Sequence, residues 1–227
     1  MYRRLIATVV PKGNFCSHTV GYLWGDVVNP YFLLALFNAT LLDWRFNLTS
    51  TNNNINGYEL EALPVPSIDF SSSEDKRKRL AGQIIEAYAS DDNVRVLQQI
   101  RAALAANQSD VVHDVLTHLA QMMIDLNKQK QAEVSRFLGW LEGRLKITPK
   151  DGKSGLDVFT GKTILQGYLG DYQKGEPELP WDDFYYRLHQ NHNRFKANLA
   201  QIKGQIEQAY EQSLAVLRPI KQQLAAT

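Results

Sequence analysis

Only one cysteine, Cys16, occurs in the sequence. This excludes an internal disulfide and a zinc site built on paired thiolates, and it fits a reducing cytosol. Long hydrophobic runs are missing as well. No stretch approaches the ~18 consecutive apolar residues of a membrane span. The run Leu5 to Val10 is too short for a signal-peptide core and is broken by Pro11. An excess of one charge is also lacking: 25 Lys and Arg face 24 Asp and Glu, a formal net charge of +1. The global basic field of many nucleic-acid binders is therefore absent, and any such surface must come from local placement of cations or from partner domains. Membrane association is not expected, and the cytoplasm is the expected compartment.

Motifs that carry catalysis fail on spacing. Gly161-Lys-Thr163 ends like a phosphate-binding loop, but the glycine required five positions earlier is Leu156. Asn29-Pro30-Tyr31-Phe32 lacks the second proline of an adenine-methyltransferase motif, and a proline-started helix is the simpler reading. His189 and His192 lie three apart without a cysteine or a clear carboxylate set to complete a metal site. His113 and His118 are five apart and diverge on a helix. No Gly-x-Ser-x-Gly elbow occurs. No catalytic and no metal-ligating residue is assigned. A rival enzyme reading would place its site in the 147–192 stretch, around Asp151, Asp171, Asp182, Asp183 and His189.

What is present is a chain with 44% hydrophobic and 22% charged residues, enough to bury a core. Its character changes near Phe70. Residues 1–70 are rich in β-branched and aromatic side chains. Leu5–Val10 and Thr19–Trp24 read as strands, and Pro30 opens an apolar helix over about 31–42. Leu33, Leu34, Phe37, Leu41 and Trp44 are spaced to share a face. The polar run Thr49 to Asn54 follows, then a short turn or helix over 57–62. Leu63-Pro-Val-Pro-Ser-Ile68 must be extended. Beyond Ser71 the pattern is helical, with candidates over 73–90, 93–106, 109–146 and 182–226. Pro219 should kink or end the last. A Gly- and Pro-rich insertion occupies about 147–181. The seam from Phe195 through Leu199, Ile206, Tyr210, Leu214 and Leu217 to Leu224 suits packing within the chain, on a neighbouring domain or on a second copy. Because the chain stops at Leu224-Ala-Ala-Thr227, inside a helical pattern, a fragment of a longer protein is expected. The expected fold class is α+β: a small strand-containing recognition lobe over 1–70, then a mainly helical region over 71–227.

The stretch from Leu33 to Pro66 carries a resemblance. Asn38, Leu41 to Trp44, Thr49 to Asn54, Ile55-Asn56 and Tyr58 to Pro66 are together similar to the end of the target-recognition domain of type IIG restriction-modification enzymes, with the TaqI-like C-terminal specificity domain as the nearest label. The later segments "VLTHLAQMMIDLNKQKQ", "FLGWLEG", Phe159-Thr-Gly-Lys-Thr163, "YLGDYQKGEPELP" and "LRPIKQQLAAT" resemble the tail of a subset of these enzymes, so the resemblance spans nearly the whole chain. It implies sequence-specific recognition of double-stranded DNA by a non-catalytic fragment. It also implies upstream N6-adenine methyltransferase and endonuclease domains that use S-adenosylmethionine and Mg²⁺, and no cofactor for the fragment itself. Short polar side chains can read base edges or seat phosphates. The candidate DNA-contacting residues are Lys12, Asn14 and His18 after the first expected strand, Arg45, and the run Thr49, Ser50, Thr51, Asn52, Asn53 and Asn54. The basic run Lys76 to Arg79 could also meet phosphates, although such runs usually form a solvated face.

Overall fold

The computed structural model describes residues 5–10, 13, 28–50 and 55–226. It is about 69% helical and has no β-strand among those residues. The expected α+β class and strand-containing lobe are therefore not what the described residues adopt. Nine α-helices are described: α1 Pro30–Asn38, α2 Thr40–Thr49, α3 Gly57–Glu61, α4 Glu74–Ala89, α5 Asn93–Ala105, α6 Ser109–Leu145, α7 Lys162–Gln166, α8 Trp181–Gln190 and α9 Leu199–Ala226. The chain divides into two compact units, Met1–Met122 and Met123–Thr227. The compositional change at Phe70 falls inside the first.

Leu5–Val10 shows why strand propensity misleads here. The segment has the alternating burial of a strand: Leu5 is buried and Ala7 and Val9 are half-buried, while Ile6, Thr8 and Val10 are exposed. Its partners, however, are side chains. The Leu5 N–H donates to Asp43 Oδ1 at 2.7 Å. The Ala7 N–H donates to Asn38 Oδ1 at 3.2 Å, and Asn38 Nδ2 donates back to the Ala7 carbonyl at 3.0 Å. Two polar side chains thus answer the backbone groups a neighbouring strand would have satisfied. The second expected strand, Thr19–Trp24, lies outside the described residues.

The apolar helix expected over 31–42 is two helices. Asn29 caps the first by accepting from the Tyr31 N–H at 2.9 Å, with Pro30 at its first position. Ala39 then turns extended (φ −70°, ψ 137°) and restarts the register. Phe32, Leu34 and Phe37 are buried, and Phe37 packs with Leu5, Leu42, Phe46 and Leu63 in a small core. The expected shared face does not survive the break: Leu41 and Trp44 point to solvent. Asp43 is 6% exposed and sits in the first turn of α2, where a helix favours negative charge. Asp43→Ala is expected to lower stability by about 1–3 kcal/mol, because a buried amide loses its acceptor. Urea denaturation of the variant beside Asp43→Asn, which keeps an acceptor oxygen, checks this.

The rest of the first unit is a helical layer. Ala81 and Ile84 of α4, Ala103 of α5, and Val111 and Val115 of α6 form its core. The connection into α4 is pinned by Asp110, which is fully buried and accepts from the Ser72 N–H at 2.9 Å and from its hydroxyl at 3.2 Å. His113 lies between Phe32 (ring centroids 4.7 Å apart) and Phe70 (5.0 Å, edge-on). Its Nδ1 is 2.9 Å from Asp114 Oδ1, and the other Asp114 oxygen accepts from Arg77 Nε at 2.6 Å.

The second unit is built on the seam read from the sequence. Leu199, Ile206, Tyr210, Leu214, Leu217 and Leu224 are all buried. The helix expected over 182–226 is interrupted. α8 ends at Gln190, a short 3₁₀ turn covers His192–Arg194, and α9 begins at Leu199. Pro219 lies within α9 and does not end it. A proline there forfeits the bond to the Ala215 carbonyl, and burial of Leu217, Ile220 and Leu224 on either side holds the turn. Phe137 of α6 is the centre of an aromatic cluster, 5.1 Å from Tyr168, 5.9 Å from Phe184 and 6.0 Å from Tyr210. The Tyr168 hydroxyl sits 2.7 Å from Ser213 Oγ, and burial pushes its pKa up to about 12. The 147–181 insertion holds one 3₁₀ turn, Gly155–Val158, and the short α7; the rest is irregular.

Candidate nucleic-acid interface

The expected DNA-contacting residues that are described, Arg45, Thr49 and Ser50, belong to α2 and its C-cap. Leu41, Trp44 and Leu48, spaced by three and four, are exposed, and half-buried Arg45 lies beside them. Thr49, one turn after Arg45, is exposed and is the last residue of α2. Its hydroxyl turns back to its own helix, 3.3 Å from the Phe46 carbonyl and 3.4 Å from that of Arg45. Ser50, the C-cap, is buried, and its N–H donates to the Phe46 carbonyl at 2.9 Å. Of the expected contact residues, then, Arg45 and Thr49 reach solvent and Ser50 does not. Lys12, Asn14, His18, Thr51, Asn52, Asn53 and Asn54 lie outside the described residues.

Beyond the polar run a second cap is formed. Asn56 and Glu59 form a reciprocal cap at the start of α3, in which the Asn56 N–H donates to Glu59 Oε2 at 2.9 Å and Asn56 Nδ2 donates to the same oxygen at 3.0 Å. Ser50 is thus the C-cap of α2 and Asn56 the N-cap of α3. In this fold Asn38, Ser50, Asn56 and Glu59 maintain backbone geometry. The backbone-holding role of Asn38 and Asp43 escaped sequence reading; the available signal was a polar side chain within an otherwise apolar helical face.

The other groups considered from sequence are spread out. Within Lys76–Arg79, Arg77 is held by Asp114 and Lys78 pairs with Glu74 at 2.5 Å, while Lys76 and Arg79 are exposed. In the second unit, Asp171 accepts from the Gln173 N–H and pairs with Lys174, Asp151 lies by Lys150, and Asp182 and Asp183 are exposed in the first turn of α8. His189 and His192 stack with ring centroids 5.1 Å apart, and both are exposed. Among the described residues no group of three or more His, Cys, Asp or Glu is placed to hold a metal ion, and no helix is long and apolar enough to cross a membrane. Gly161 precedes α7 with φ +73°, and a Cβ there would stand 2.9 Å from the Arg187 guanidinium, so this glycine makes room for a side chain rather than for a phosphate. Comparison of the chain with models of protein families, with curated proteins and with solved structures found no match.

Proposed function

We propose that this chain recognises double-stranded DNA in a sequence-specific manner, as the non-catalytic C-terminal portion of a bacterial, cytoplasmic restriction-modification enzyme. The observation that carries the reading is that the polar run 49–54 begins at the solvent-facing end of α2 and is followed in sequence by the Asn56–Glu59 cap of α3. Short polar side chains discriminate bases through hydrogen bonds to base edges in the groove. Arg45 and Thr49 lie at the entry to this run and are open to solvent. In this reading the S-adenosylmethionine and Mg²⁺ chemistry belongs to upstream methyltransferase and endonuclease domains, which are also the chain's partners.

The test is selection from a pool of random duplexes with the chain, followed by the same selection with Arg45→Ala and with Asn52→Ala/Asn53→Ala. Enrichment of a defined sequence by the parent, and loss of preference by about ten- to a hundredfold at one or more positions in a variant, supports the reading. No enrichment, or the same enrichment by every variant, rejects it.

A second reading is favoured by one observation. Leu41, at 70% exposure, and its neighbours Trp44 and Leu48 form an apolar stripe on α2, which suits a helical interaction module that contacts protein instead of DNA. Self-association that rises with concentration and is abolished by Leu41→Asp, without duplex affinity, distinguishes it.

A further inference from the structure

The second unit gathers positive charge at one place. α6 ends in Arg144 and Leu145, and Lys146 follows in the left-handed conformation with φ 50°. The chain then runs antiparallel to the segment that precedes α9. Ile147 bridges Phe195, the Lys196 N–H donates to the Lys146 carbonyl at 3.2 Å, and the Thr148 N–H donates to the Arg194 carbonyl at 2.8 Å. Ile147 and Phe195 turn toward the core. Lys146, Thr148 and Lys196 are exposed and Arg194 is half-exposed. Three residues on, Lys150 and Lys153 exchange backbone hydrogen bonds across Asp151-Gly152, both with positive φ (50° and 74°), a two-residue reverse turn with a lysine at each foot.

Six cations result, Arg144, Lys146, Lys150, Lys153, Arg194 and Lys196, against one acid, Asp151, within residues 143–154 and 192–198 of a chain whose net charge is +1. Among the described residues the structure gives an ion pair only to Lys150, with Asp151 at 3.9 Å. The nearest further acids are occupied: Glu142 accepts from the Leu156 N–H, and Asp157 pairs with Lys162 at 2.6 Å. The negative end of the α6 dipole accounts for Arg144 and Lys146. It does not account for the other four, and like charges facing one another across paired backbone oppose folding. No large apolar side chain of the strip is exposed, which disfavours a membrane surface, where cations work beside inserted apolar groups.

We infer that this strip seats the phosphodiester backbone of duplex DNA without regard to sequence, so that the helical unit contributes affinity as well as support. The choice of DNA as ligand rests on the function proposed above. The test measures binding of the whole chain to a mixed-sequence duplex as a function of salt. The parent is compared with Lys146→Glu/Lys196→Glu and with the milder Lys146→Gln/Lys196→Gln, helical content being checked in each. Loss of affinity by about tenfold or more on every sequence, with the slope of log K against log salt reduced by about two, supports the inference. Unchanged affinity and slope in folded variants overturn it, as does parental binding to anionic vesicles but not to duplex. The two proposals fail separately. The front surface is judged by sequence preference, and this strip by sequence-independent affinity and its salt slope.

Discussion

Phe137→Ala is expected to lower stability by about 3–5 kcal/mol, enough to threaten the fold of the second unit. The ring is 1% exposed and touches Tyr168, Phe184 and Tyr210 on three separate segments. Truncation removes the transfer free energy of the ring and leaves a hole that neighbouring aromatic rings are too stiff to fill. Phe137→Leu, which keeps more of the volume, should lose less. Thermal and urea unfolding followed by near-ultraviolet circular dichroism read both, because the aromatic cluster itself generates that signal. A loss below 1 kcal/mol for the alanine variant would mean that the cluster does not organise the core.

Gly170→Ala should cost on the order of 3 kcal/mol, unusually large for one added methyl group. Gly170 has φ +73°, where an L side chain is strained, and an added Cβ would lie 2.1 Å from the Pro177 carbonyl oxygen and 2.5 Å from that of Glu176. These atoms are backbone, so relief requires the 170–177 segment to move. That movement would disturb Lys221, whose ammonium donates to the Glu176 carbonyl at 2.6 Å and to the Leu169 carbonyl at 2.7 Å. Gly175→Ala is the control: φ is +66° there but the added methyl meets nothing, so only the strain of about 1–2 kcal/mol remains. Equal midpoints for the two variants in urea would show that the 170–177 backbone yields freely.

The sequence was informative about helices and poor at their interruptions. The α9 seam was legible because Leu199, Ile206, Tyr210, Leu214 and Leu217 repeat at the period of a helix that buries one side. The break at Ala39 was not legible, since Leu33 to Trp44 keeps helical spacing straight through it. At the break Asn38, the last residue of α1, pairs with Ala7, thirty-one residues away, a partner that no local pattern announces. Leu5–Val10 was misread for the same reason: alternation is a property of one segment, whereas a sheet needs a second. At the candidate interface, Arg45 and Thr49 were placed at the surface by their polarity, and Ser50 was not distinguishable from them until α2 was seen to end in a buried cap. The basic strip escaped notice because its two halves, 143–154 and 192–198, are far apart in sequence and modest in charge when read singly.

The hold of Asn38 and Asp43 on Leu5 and Ala7 acts through backbone groups that every residue except proline provides in full. Buried Leu5 is read by identity as well, but the rest of the segment is addressed mainly by position. Its outward residues Ile6 and Thr8 are free to drift in sequence without altering where the chain runs, while the information that places it is stored some thirty to forty residues downstream. Leu5 apart, the determinants of this segment lie outside it.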